Sequence, residues 1–83
     1  MSVSLRLIGF GEDLPPGFDA VGRRQFDLTT PGSIDSLLQL AGIEPAPDLV
    51  IMDSDRVIPR TDWPDPLIED GAQITILSAI EGG

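Results

Sequence analysis

Three stretches of the chain alternate apolar and polar residues, which is the period of a half-buried β-strand. They span residues 2–8, 23–28 and 72–80. Residues 9–22, between the first two stretches, contain four glycines and two adjacent prolines, which break regular structure and predict a surface loop. We therefore expect the first two strands to pair as a hairpin and the third to run almost to the end of the chain.

An amphipathic helix is predicted after this first hairpin. Its apolar residues recur at the spacing of one helical face: Ile34, Leu37, Leu38 and Ala41. Ser33 is a suitable N-cap, and Gly42 is a suitable stop at the C-terminal end. We expect this face to pack on the sheet rather than to bind a ligand, because amphipathic faces are normally buried.

Two short apolar runs, 49–52 and 56–58, flank the turn-forming sequence Asp53-Ser54-Asp55 and predict a second hairpin. A calcium site at this turn is disfavoured, because the loop lacks the glycine at its sixth position and the glutamate at its twelfth that an EF-hand requires. Residues 59–71 contain too many prolines and aspartates for a strand or a long helix. Trp63 is expected to pack beneath this crossover with its indole N–H hydrogen-bonded.

The predicted order of elements is strand, strand, helix, strand, strand, strand, which belongs to the α+β class. We expect a mixed sheet of four to five strands wrapped on one main helix. A chain of 83 residues makes a single domain, 1–83, and buries roughly 60 to 65% of the surface that its unfolded form exposes. Residues 81–83 are expected to form a flexible C-terminal tail.

Composition argues against several classes of function. The chain has no Cys and no His, so it lacks a thiolate metal ligand, a cysteine nucleophile and the commonest general base. We therefore expect neither a self-sufficient enzyme nor a bound cofactor. Asp and Glu number 14 against 5 Arg, and the resulting net charge of -9 repels the phosphates of nucleic acid.

No segment for export or membrane insertion is predicted. No apolar run approaches the about 18 residues that a membrane span needs. The N-terminal residues lack the basic start and the continuous apolar stretch of a secretory signal. The sequence therefore predicts a cytoplasmic protein with neither a nucleic-acid nor a membrane partner.

The chain ends in Glu81-Gly82-Gly83, whose last two residues have no side chain. Two glycines at these positions arise by chance on the order of 1% of the time, and a cloning scar or a frayed end is the simplest alternative. Because glycine permits close backbone approach, a partner enzyme can grip such a tail and reach the carboxylate of Gly83.

A terminal carboxylate is a poor electrophile and needs activation, for instance as an acyl-adenylate. The chain has no phosphate-binding loop of its own. The sequence Gly9-Phe10-Gly11-Glu12 follows a strand but lacks the third glycine, the lysine and the helix that such a loop requires. The activating enzyme is therefore expected to be a separate protein.

A series of short motifs occurs in order in the last half of the chain: Val57-Ile58-Pro59-Arg60, Trp63, Leu67, the run from Asp70 to Leu77, and Gly82-Gly83. In this combination they resemble the ThiS/MoaD family of small sulfur carriers, which have the ubiquitin-like β-grasp fold. Each motif alone is weak, and the combination is specific. The first motif and Trp63 favour the ThiS side, whereas the long loop 9–22 brings the chain closer in length to MoaD.

This resemblance implies a role for the C-terminus. Gly83 would be adenylated by a ThiF/MoeB-like adenylyltransferase that uses MgATP, and would then be converted to a thiocarboxylate. The sulfur would pass to thiazole synthase, which makes the thiazole of thiamin and is the favoured recipient, or to the large subunit of molybdopterin synthase. Ile80, Glu81 and Gly82 would bind the partner enzyme together with Leu77, which alternation places on the open face of the sheet.

Two other functions stay open from the sequence. A Urm-like modifier would transfer the activated Gly83 to a lysine of a target, leaving an isopeptide adduct. A plain interaction module would make no use of Gly82 and Gly83, so their deletion would have no effect in cells.

Overall fold

The structure, a computed structural model, describes residues 1–11, 14–28 and 32–78. Within these ranges five strands and one α-helix follow one another in the predicted order: β1 (Ser2–Ile8), β2 (Arg23–Asp27), α1 (Ile34–Ala41), β3 (Leu49–Asp53), β4 (Arg56–Val57) and β5 (Gln73–Ser78). A short 3-10 helix, Arg60–Asp62, lies between β4 and β5.

The five strands of the described ranges form one mixed sheet in the order β2-β1-β5-β3-β4. Both predicted hairpins are confirmed, because β1 pairs antiparallel with β2 and β3 pairs antiparallel with β4. The last strand, β5, lies between the two hairpins. It runs parallel to β1 and antiparallel to β3. The α+β class is therefore confirmed, with β5 at the centre of the sheet.

The core lies on one face of the sheet. Alternate residues of the strands point to this face, and the predicted apolar stripe of α1 is buried in the same hydrophobic cluster, as expected from its spacing. The cluster consists of Val3, Leu5, Leu7, Phe26, Ile34, Leu37, Leu38, Ala41, Ile43, Leu49, Ile51, Ile58, Trp63, Ile68, Ile74 and Ile76. The other face of the sheet carries the polar residues of each strand, and we call it the open face.

The crossover between β4 and β5 supplies three of these buried side chains. Trp63 donates its indole N–H to the carbonyl oxygen of Ile58 over 3.1 Å, which confirms the predicted packing and hydrogen bond. Ile68 is only 1% exposed, and its backbone N–H donates to the carbonyl oxygen of Gly32. No periodicity in this proline-rich segment indicated that Ile68 belongs to the core.

Some predicted strand ends differ from the observed ones by one residue. The second strand ends before Leu28, which is half-buried against the core and donates its N–H to the carbonyl oxygen of Met1. The fifth strand starts after Ala72, whose N–H donates to Glu69 within the preceding turn. The Met1 ammonium in turn donates to the carbonyl oxygen of Leu28, so the antiparallel pairing continues one residue past the end of β2. At Ala72, by contrast, a local turn bond takes the place of a bond between strands. The predicted strand positions 79 and 80 lie outside the described residues.

No helix in the described part of the chain has the length and apolar composition needed to cross a membrane.

Candidate functional site

The predicted site is built around the end of β5. Of the residues named for it, Ile80, Glu81, Gly82 and Gly83 lie outside the described residues, and Leu77 lies inside them. Ser78, the last residue described, pairs with Leu49 of β3. β5 pairs with β1 over residues 73–77 and with β3 over residues 74–78, so at least one neighbouring strand holds it along its whole length.

Leu77 lies on the open face of the sheet, as alternation predicted. Its neighbours along the strand, Ile74 and Ile76, are each 1% exposed and belong to the core, whereas Leu77 is half-buried. Register places Ile8 of β1 and Val50 of β3 directly beside it, one on each side. These two side chains are 38% and 39% exposed. Ile8, Leu77 and Val50 therefore form an apolar row across the three central strands.

The apolar surface continues beyond this row to neighbouring positions of β3 and β4. Met52 of β3 lies two residues along the strand from Val50 and pairs with Thr75 on one side and Val57 on the other. Val57 is 55% exposed. Isolated exposed apolar residues are ordinary, but contiguous ones on one face are typical of an interaction surface.

Gly9 is a site residue that the sequence reasoning missed. It follows β1 with φ +85°, and a Cβ built on it would lie 2.6 Å from the carbonyl oxygen of Ser78. Only a glycine allows the end of β1 to approach the end of β5 this closely. Its sequence position, directly after a strand, suggested a tight turn but not its contact with a residue 69 positions later.

Arg60 and Trp63, two residues of the ordered motifs in the second half of the chain, contact each other and help to hold the fold together. The guanidinium carbon of Arg60 lies 4.1 Å from the centroid of the Trp63 ring. Its nitrogens also donate to the carbonyl oxygens of Pro45 and Ala46. Arg60 therefore ties the crossover to the loop before β3, and its charge is directed onto the body of the protein.

The Asp70-Gly71 turn determines where β5 begins. The carboxylate of Asp70 accepts a 2.6 Å hydrogen bond from the backbone N–H of Ser2, and Gly71 donates its own N–H to the carbonyl oxygen of Ser2. These two bonds join the turn to the first residue of β1. They set the parallel register of the two strands and, through it, the position of Leu77 beside Ile8.

Residues 1–11, 14–28 and 32–78 contain no group of three carboxylates placed to hold a metal ion. Asp53 and Asp55, the pair considered for calcium, lie at the end of β3 and in the turn that follows it.

No protein-family model matches the chain, and no curated protein shows significant sequence similarity to it.

Proposed function

We propose that this protein is a β-grasp sulfur carrier of the ThiS/MoaD type, whose reactive group is the carboxylate of Gly83. The observation that carries the proposal is the central position of β5, because only residues 79 and 80 separate this strand from Glu81-Gly82-Gly83 in the sequence. The mixed five-stranded sheet with one helix, observed over the described ranges, is consistent with a β-grasp. The ordered motifs of the second half of the chain support the same family.

The reaction requires two steps. A carboxylate oxygen of Gly83 attacks the α-phosphate of ATP in a ThiF/MoeB-like enzyme, and pyrophosphate leaves. Sulfide, or a protein that delivers sulfur at the same oxidation level, then attacks the acyl carbon of the adenylate, and AMP leaves. The product is a thiocarboxylate, which passes its sulfur to an enzyme of cofactor synthesis, with thiazole synthase favoured and molybdopterin synthase as the alternative.

The apolar row is the part of the described surface that supports a docking role. Ile8, Leu77 and Val50 lie at the end of the sheet where β5 leads toward the tail. An enzyme that covers the row would hold the domain while the glycines, which have no side chains, enter a narrow channel. Burying apolar area of this kind is the main favourable contribution to most protein association.

The intact mass of the purified chain tests the proposal. The chain is incubated with MgATP, sulfide and a ThiF/MoeB-like enzyme from the same genome. We expect a mass increase equal to the exchange of one oxygen for sulfur, and we expect none when Gly83 is deleted. An unchanged mass, with an enzyme that is active on its own cognate carrier, contradicts the proposal. An adduct through Gly83 to a lysine of a target would instead establish a protein modifier.

Leu77→Ala tests the docking role of the apolar row. We expect the variant to raise the KM of the adenylating enzyme roughly tenfold, because Leu77 lies in the middle of the row and the costliest truncations are those at the centre of an interface. Leu40→Ala is the matched control, since Leu40 is 57% exposed and lies on α1, away from the open face. Equal KM values for the two variants would show that the row does not contact the enzyme. Urea unfolding of both variants verifies that each is folded under the assay conditions.

A further inference from the structure

Two arginines lie side by side on the open face. Arg6 of β1 and Arg23 of β2 are register partners across the first hairpin, and both side chains are exposed. Like charges directly opposite one another on paired strands are destabilising. In a chain with 14 acidic residues and only 5 arginines, this juxtaposition needs a physical reason.

Two of the other three arginines have guanidinium groups that contact aromatic rings and backbone carbonyl oxygens of the protein itself. Arg24 lies over the Phe26 ring at 4.4 Å from its centroid and donates to the carbonyl oxygen of Pro16, and Arg60 lies over Trp63. Arg56 lies at the far edge of the sheet, opposite Asp53. Within residues 1–11, 14–28 and 32–78, the one ion pair joins the N-terminal ammonium to Asp27. Neither Arg6 nor Arg23 has a carboxylate partner in those ranges.

Arg6 and Arg23 both line a hollow of about 510 Å³. Its side chains from the open face are mostly uncharged and able to donate hydrogen bonds: Ser4, Gln25, Gln73 and Thr75. One acidic residue, Asp19, lies at the rim of the hollow. Its carboxylate accepts hydrogen bonds from the backbone N–H groups of Val21 and Arg23 and so stabilises the turn before β2. The hollow therefore offers two cations and several neutral donors, with one carboxylate, that of Asp19, at its rim.

This set of groups fits an oxyanion. Guanidinium groups donate to carboxylate or phosphate oxygens in a planar fork, and hydroxyl and amide groups can satisfy the oxygens that remain. A bound anion between Arg6 and Arg23 would also remove the repulsion between them. We propose that Arg6 and Arg23 form an oxyanion-binding site, and that its occupant is a carboxylate carried by a partner protein that also covers Ile8 and Leu77.

Two observations favour a protein-borne carboxylate over a free anion. The net charge of -9 keeps small anions away from the molecule, so additional contacts are needed to hold one there. The apolar row supplies them, because Ile8 and Leu77 follow Arg6 and Thr75 by two residues on the same face, about 7 Å along the strands. The partner surface is therefore apolar with an acidic side chain beside it. This inference does not depend on the chemistry proposed for Gly83.

Amide chemical shifts of the isotope-labelled chain test the proposal. The probe is a blocked peptide with two glutamates flanked by leucines, and the control probe has glutamines in place of the glutamates. In a second titration, inorganic phosphate replaces the peptide at the same ionic strength. We expect the glutamate peptide to shift residues 4–8, 23–25 and 73–77, with tighter binding than either the glutamine peptide or phosphate.

Single substitutions identify the groups responsible. Arg6→Gln and Arg23→Gln should each weaken binding of the glutamate peptide roughly tenfold, which corresponds to the loss of a charge-assisted hydrogen bond. Arg56→Gln removes the same charge from an exposed position on β4 and should leave the affinity unchanged. Both test variants should also be at least as stable as the parent chain, since each relieves the repulsion between the pair.

Three outcomes would overturn the proposal. Equal weakening by all three substitutions would mean that the peptide responds only to net charge. If the peptide shifts none of the amide signals of the residues that line the hollow, then the hollow is not a binding site. The third outcome is that phosphate binds at least as tightly as the glutamate peptide and that this binding depends on Arg6 and Arg23. The site would then bind a small anion, and the protein partner would be excluded.

Discussion

At the scale of single residues, Gly9 and Gly71 have the same backbone φ, +85°, in different surroundings. A Cβ on Gly9 would collide with the carbonyl oxygen of Ser78, whereas a Cβ on Gly71 would meet no atom within 4 Å. Both Gly→Ala substitutions therefore impose the same left-handed backbone on alanine, which costs about 1–3 kcal/mol. We expect Gly9→Ala to lower the free energy of unfolding further, by at least about 1 kcal/mol beyond Gly71→Ala.

Urea unfolding of the two alanine variants measures this difference. The cost of the left-handed φ is common to both variants and cancels when their free energies of unfolding are compared. The additional loss of stability in Gly9→Ala therefore measures the contact between the ends of β1 and β5. Equal losses would mean that the backbone at Ser78 moves aside at no cost, and that the close approach does not hold the end of β5 in place.

At the scale of elements, α1 is only eight residues long and depends on its N-terminal cap. The Ser33 hydroxyl accepts a hydrogen bond from the Ser36 N–H over 3.1 Å, and the Ser36 hydroxyl accepts one from the Ser33 N–H over 3.2 Å. We expect Ser33→Ala to lower the free energy of unfolding by about 1 kcal/mol, because it removes the acceptor of the Ser36 N–H in the first turn.

Ser33→Asp is the matched control for this cap. A carboxylate accepts the same N–H bond and interacts favourably with the positive end of the helix dipole, so its stability should remain within about 0.5 kcal/mol of the parent chain. Urea unfolding compares the two variants. A loss in Ser33→Asp as large as that in Ser33→Ala would show that the 2.8 Å contact between the Ser33 and Ser36 hydroxyls, rather than the bond to the Ser36 N–H, stabilises this end of α1.

At the scale of the whole molecule, the net charge of -9 acts on a small domain whose arginines are partly engaged with aromatic rings. Self-repulsion of this kind destabilises the compact state and is screened by salt. Raising NaCl from about 10 to about 150 mM shortens the Debye length from about 30 to about 8 Å. We therefore expect Tm to rise by several degrees, at roughly 4–8 °C per kcal/mol relieved.

Trp63 provides the signal for this measurement, because it is the sole tryptophan and is 3% exposed in the folded protein. Its fluorescence follows thermal unfolding at each salt concentration. A Tm that stays constant across this range would mean that the carboxylates are spaced too widely to repel one another significantly.

The sequence by itself determined the elements of this fold, because strand and helix periods are local. Alternation predicted β1 over the residues that form it, and the stripe between Ser33 and Gly42 predicted α1 with both of its ends. The same alternation placed Leu77 on the open face. The ordered motifs up to Gly82-Gly83 suggested the sulfur-carrier function, which stays a prediction because the tail lies outside the described residues.

The tertiary structure decided which distant residues meet. Alternation assigns a side chain to a face, but it does not choose the partner strand, and a register slip of two residues leaves every side chain on its own face. Insertion of β5 between β1 and β3 therefore brought Leu77 beside Ile8 and Val50, and Gly9 against Ser78. The register of the first hairpin likewise placed Arg6 opposite Arg23, a pairing set by hydrogen bonds between the two strands on either side of the loop 9–22.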